Sequence, residues 1–246
     1  FGAGKTLDFY YASFKIPDLM YTVFLSVASG VVLIPMLLGK IEKSEEEGRK
    51  FISEVFFAFT ILVLVISVAV FVFIPYLVPL LAPGFSGEDK TELVKLARIL
   101  LSSSILLALS NILSSVVQSY RKFFVYALSP ILYNLGIIIG VVVFFPTMGL
   151  KGMALGVILG AFMHMAIQVP IVLKLGFAPI FNFKINYQDI KKVIFSSFPR
   201  TVSLSSNQLT LFFVTSMASL IGVGSISVFN FSYNLQSVPL NIIALS

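Results

Sequence analysis

The stretch FGAGKTLDFYYASFKIPDLMYTVFLSVASGVVLIP, Phe1 to Pro35, decides how the rest of the chain is read. It opens on a Gly-Ala-Gly turn, runs through aromatics mixed with Asp8 and Lys15, and reaches Pro17. Then come 21 residues without a charge, Leu19 to Gly39. That length crosses a hydrocarbon core of about 30 Å. Charges and a proline at the approach to such a span cost free energy unless they face protein or water. The stretch reads as a long, broken membrane helix whose polar side lines something. Gly2, Gly4 and Pro17 are its candidate hinges.

The same plan returns near the other end. Gly222, Val223 and Gly224 form a second Gly-x-Gly turn, followed by the polar-aromatic run Phe229 to Asn234 and by Pro239, a fourth candidate hinge. Weak internal symmetry of this kind in a membrane protein points to a two-lobed transporter with its site between the lobes. Two ordinary glycine turns before two ordinary helices explain the echo equally well.

Composition sets the class. The chain is 58% hydrophobic and 11% charged, with a mean hydropathy of +1.00, whereas soluble domains carry about twice that share of charge. Uncharged runs at 19–39, 55–82, 99–120, 123–150, 152–173 and 201–246 are each long enough to span, and the Gly222–Ser225 turn splits the last in two. The expectation is an all-α polytopic membrane protein with about seven transmembrane helices. A chain that lacks Met at position 1 and stops inside an apolar run reads as a fragment cut at both ends. The connections alternate in charge. Eleven basic residues, from Lys40, Lys43, Arg49 and Lys50 through Arg121 and Lys122 to Arg200, fall on one side, against six on the other. The positive-inside rule places the first set in the cytoplasm. The net charge of +6 bears on orientation and on anionic lipid, not on nucleic acid.

Enzyme chemistry has no foothold. Cys is absent, which excludes disulfides and thiolate metal sites; no metal or cofactor site is read. The single His, His164, sits in an apolar run and reads as a helix-packing residue bonded to a neighbouring helix, in preference to a proton relay. Ser44-Glu45-Glu46-Glu47 fits a capping box, with a weaker version at Asn186 to Asp189. Candidate site residues are polar groups at membrane depth. Asp8 and Lys15 are seven apart, so on a continuous helix they share a face. They either line a path or snorkel to the outer interface.

At these residues the chain resembles the MurJ/MviN lipid II flippase family of the MOP exporter superfamily. The first signature is carried by Phe1 to Gly4, Asp8, Phe14-Lys15-x-Pro17 and Pro35. Leu81 to Phe85, the Pro130-x-Leu-x-Asn134 run, Pro199, Gln208, Ala218-Ser219, Gly224-Ser225 and Pro239 carry the rest. The resemblance implies a MOP-type two-lobed transporter, of which this fragment covers about helices 2 to 8 and lacks most of helix 1. It implies an N-terminal lobe at 1–174, a cytoplasmic linker at 175–189 and the start of a C-terminal lobe at 190–246. Where the family places cavity Arg and Glu residues, this chain has Tyr21, Thr22 and Ser26 in the first lobe and Asn234 and Ser237 in the second. With Asp8 and Lys15 these make up the substrate-cavity candidates.

The function so implied is flipping of a lipid-linked peptidoglycan precursor, lipid II, from the inner to the outer leaflet of the plasma membrane by alternating access. The implied partners are an undecaprenyl-pyrophosphate-linked lipid, the surrounding membrane lipids and a coupling ion. Two alternatives stay open: a MOP-type ion-coupled drug exporter or oligosaccharide-lipid flippase, and a non-transporting membrane scaffold.

Overall fold

In a computed structural model of the protein, residues 2–177 and 186–244 are described. All regular structure among them is helical. The first span is α1 (Lys5–Val27) followed by α2 (Gly30–Ile41); α3 is Glu45–Leu81 and α4 is Gly87–Ser119. Next come α5 (Phe123–Ile139), a π-helical turn at Gly140–Phe144, and the short α6 (Phe145–Met148). The chain continues through α7 (Leu150–Ala166), α8 (Val169–Lys174), α9 (Tyr187–Ile221) and α10 (Ser225–Ala244). Six spans are long and apolar enough to cross a membrane, from Lys5–Ile41 to Tyr187–Ile221, and α10 follows as a seventh long helix. The chain is a multi-pass membrane protein.

The ends of these helices follow local chemistry. The Ser44 hydroxyl accepts from the Glu47 N–H at 3.1 Å, as a capping box requires. Ser86 does the same for Asp89 at 3.2 Å, and the Asn186 side chain accepts from the Gln188 N–H at 3.1 Å. Pro17 does not break the first span. It lies buried inside α1, and its carbonyl accepts from Ser104 at 3.0 Å. The break comes eleven residues later at Ala28–Ser29.

Buried α4 is the centre of the packing, touching α1, α2, α3 and α7. The closest helix pair is α5 on α7. Gly136 and Gly140 face Gly156 and Gly160; a Cβ placed on Gly140 would lie 2.6 Å from the Gly156 Cα. Small residues four apart on both helices let the backbones touch, a common way to join helices in lipid. Helix α9 lies along α1 and crosses α3 and α2, while α10 packs on α1 and α9. Residues 178–185, within the expected 175–189 linker, lie outside the described residues.

Candidate functional site

The polar groups of α1 are turned in three directions, and each direction meets a different helix. Asp8 and Lys15, seven residues apart, both meet α10. The Asp8 carboxylate is 2% exposed. One oxygen accepts from the Gly224 N–H, and the other from the Ser227 N–H at 2.8 Å and the Ser227 hydroxyl at 2.7 Å. A carboxylate here satisfies orphan donors of the first turn of α10 and sits at the positive end of its dipole. The two Gly-x-Gly turns of the sequence thus meet in space: a Cβ on Gly224 would lie 3.1 Å from the Ala3 carbonyl. Gly224 has φ of +91° and needs glycine, whereas Gly4 is extended at −167° and does not. Lys15 is also buried, and its ammonium donates to Asn230 Oδ1 at 3.3 Å. Neither residue snorkels to the surface.

Tyr21 faces α4, where its hydroxyl accepts from Asn111 at 3.2 Å. Ser26 is fully enclosed and faces α9: its hydroxyl lies 2.6 Å from that of Thr201, and Ser197 donates to the Val27 carbonyl at 3.2 Å. Thr22 is buried between these positions. Asn234 is exposed on α10, and Ser237 donates to its carbonyl at 2.7 Å, within the same helix. Gly2 and Pro239 are also exposed. The structure therefore draws Asp8, Lys15 and Ser26 into contacts with α9 or α10, and leaves Asn234 and Ser237 outside those contacts.

Asp18 is the residue that the sequence reading passed over. It stands three positions after Lys15 and directly after Pro17, partly exposed, with Lys15, Tyr10, Tyr21 and Tyr133 within electrostatic reach of its carboxylate. The signal was present: a carboxylate at i+3 from a buried lysine shares its face of the helix. Arg200, counted above with the cytoplasmic loops, lies instead inside α9, about 20 Å along the axis from Tyr187 at the usual helical rise.

Beyond α1, the ends of the molecule are tied by polar contacts between α9 and the earlier helices. At one end Lys40 pairs with Asp189 at 2.7 Å, and the Asn186 N–H donates to Glu54 at 3.0 Å. The Tyr120 hydroxyl, nearby in the chain order of that end, donates to Glu45 at 2.6 Å; burial first, and that bond second, hold it above the usual phenol range. At the opposite end Ser216 donates to the Leu80 carbonyl at 2.7 Å, and the Gly84 N–H donates to Ser219 at 3.2 Å. His164 bonds Ser110 of α4 at 2.7 Å, and Gln168 links to Ser110 and Ser114, so the histidine joins helices as its sequence setting implied.

Comparison with known proteins adds a second line of argument. A family model described as lipid II flippase MurJ matches residues 1–246. A probable lipid II flippase MurJ from Buchnera aphidicola subsp. Schizaphis graminum (strain Sg) is 33% identical over 254 residues, covering all of this chain and 49% of that protein. One from Rickettsia prowazekii (strain Madrid E) is 30% identical over 254 residues with the same coverage. A solved structure described as lipid II flippase MurJ in an inward closed conformation superposes with a TM-score of 0.78 at 25% identity, over 99% of this chain and 50% of that one. A multidrug resistance MATE transporter of the MOP superfamily, inward-facing, shares the fold with a TM-score of 0.75 at 16% identity, over 96% of this chain and 59% of that one. The chain spans about half the length of the curated relatives it matches.

Proposed function

Because the chain belongs to the lipid II flippase MurJ family, we propose that the protein containing it moves lipid II from the inner to the outer leaflet of the plasma membrane. The family is one of transporters rather than of catalysts, and no enzymatic activity is assigned. The single observation that carries the reading is the family match across the whole chain, 1–246.

The mechanism that fits is alternating access: residues 1–174 and 190–246 belong to two lobes, joined by 175–189, that rock about a site between them. The supporting geometry is a seam built from exchangeable polar contacts. Asp8 on the first turn of α10, Lys15 on Asn230 and Ser26 on Thr201 are bonds that water replaces when helices part. Asp8, Lys15, Tyr21, Thr22 and Ser26 on α1, with Asn234 and Ser237 on α10, line the path, and Asp18 joins them. Pro17, Pro239, Gly2 and Gly4 flex as the lobes move. The cargo is an undecaprenyl-pyrophosphate-linked lipid, and an ion gradient or the membrane potential drives it.

The test is replacement. Cells depleted of their own flippase and supplied with the full-length protein should grow and keep their shape. Asp8→Ala and Lys15→Ala variants, present at normal levels, should fail to support them. Lysis of cells carrying the unaltered protein overturns the reading.

A further inference from the structure

Helix α3 carries two prolines near its far end, Pro75 and Pro79. A proline has no N–H, so the Phe71 carbonyl, one turn before Pro75, is without its helical donor. A carbonyl freed in this way in a membrane helix needs another partner. Arg98 of α4 supplies it. Its Nε donates to the Phe71 carbonyl at 3.2 Å, and its guanidinium carbon lies 4.4 Å from the centre of the Phe71 ring. No carboxylate pairs with Arg98 among the described residues. The guanidinium is spent on the backbone and ring of α3.

Beyond Pro75, α3 changes partner. Ser216 of α9 donates to the Leu80 carbonyl at 2.7 Å, and the Gly84 N–H donates to Ser219 of α9 at 3.2 Å. Gly84 is pressed onto the α9 backbone, where a Cβ on it would run into the Ser219 carbonyl. A backbone contact this close is lost as soon as the two sides part. If α9 rocks against the first lobe, the end of α3 must either let go of it or follow it. Pro75 is where α3 lacks a backbone bond that would resist bending. Ile74, Val78 and Leu81 are buried under the end piece; apolar packing is non-directional and tolerates sliding.

We propose that Pro75 to Leu81, with the turn that follows, is a hinged end piece that travels with α9, and that Arg98 is the positioning residue of its hinge. The bond to Phe71 replaces a rigid helical bond by one on a long side chain, which holds the hinge closed at rest and yields when it bends. The movement rests on the two-lobed transport reading; the Arg98–Phe71 bond does not.

Two measurements on the full-length protein test this. The first is a double-mutant cycle read as the thermal midpoint in detergent. Arg98→Met should lower the midpoint by about 2 °C where residue 75 is proline. In a Pro75→Ala background the helical donor returns, and the same change should lower it by less than about 1 °C. Equal shifts in the two backgrounds overturn the role of Arg98. If Pro75→Ala fails to fold, Arg98→Lys decides: it keeps a donor and should hold the midpoint that Arg98→Met loses, and equal losses overturn the role.

The second measurement is of distances between paired spin labels in vesicles, placed on introduced cysteines because the chain has none. Leu80, Met148 of α6 and Met217 of α9 are exposed and accept labels. The Leu80–Met217 pair should give one narrow distance. The Leu80–Met148 pair, across the hinge, should give two populations, merging into one with Pro75→Ala and broadening with Arg98→Met. A single narrow distance for Leu80–Met148 in the unaltered background overturns the hinge, as does a Leu80–Met217 distance that spreads with it. The growth assay above is separate. Failure there with two Leu80–Met148 populations removes the flippase reading and leaves the hinge; growth with one population does the reverse.

Discussion

Two helix contacts in this molecule are built on opposite principles. Between α7 and α5 with its π-helical turn, the backbones meet through Gly136, Gly140, Gly156 and Gly160. Along α1, the contacts with α9 and α10 add hydroxyls, an amide, a lysine and a carboxylate to ring packing such as Tyr11 on Phe231. The first contact rests on van der Waals fit alone, which falls away steeply with separation and has no partner to exchange. The second includes bonds that water can substitute. A glycine contact suits a part that stays together; a hydroxylic seam suits one that opens and closes.

The comparison breaks most visibly if the seam does not need to open. With no native cysteine in the sequence, a Ser26→Cys, Thr201→Cys pair replaces hydroxyls that are 2.6 Å apart. Oxidation should abolish transport in vesicles and a reductant should restore it; transport through the oxidised protein would show that this contact is static. Next in size is the glycine contact. Gly156→Leu should cost about 3 kcal/mol by overpacking, read as a lower thermal midpoint and poor yield, and Gly140→Ala should cost less in the same assay.

Asp8 tests the polar side. Asp8→Ala strands the Gly224 and Ser227 donors and should cost about 2–3 kcal/mol, with Asp8→Asn milder because it keeps an acceptor. A double-mutant cycle with Ser227→Ala should show coupling, and additive effects would mean that the carboxylate acts elsewhere. The smallest effect belongs to the loop end: Lys40→Met should change the unfolding free energy by about 1 kcal/mol, since the pair is only half-buried and is screened by solvent. A large loss there would make Lys40–Asp189 part of the separable seam.

Much of this was legible before any coordinates. Charge-free runs marked the spans because a bilayer tolerates little else, and the capping box at Ser44 marked the start of α3 because free N–H groups need an acceptor. The glycines of α5 and α7 were legible too, at positions four apart, yet the pattern names no partner. Asp18 shows in the sequence only as a charge three residues from Lys15, and Arg200 reads as a loop residue because it precedes the uncharged run 201–246, whereas α9 starts at Tyr187 and carries it inside the helix. Pro17 looks like a breaker in the sequence, but it removes only one donor, leaving the carbonyl four residues earlier without its helical partner, and α1 runs through it from Lys5 to Val27.

The sequence by itself determined that this is a chain of membrane-crossing helices, roughly where each begins, and that Asp8 and Lys15 look the same way. Those properties depend on hydropathy and on the helical repeat, both local. Only the tertiary structure decided that Asp8 caps α10, that Ser26 meets Thr201, and that Arg200 and the start of α2 face one cavity. A helical period fixes the angle between two side chains on one axis. It says nothing about which other axis stands opposite, and in lipid that is settled by small-residue fit and by the pairing of polar groups that have no water to turn to.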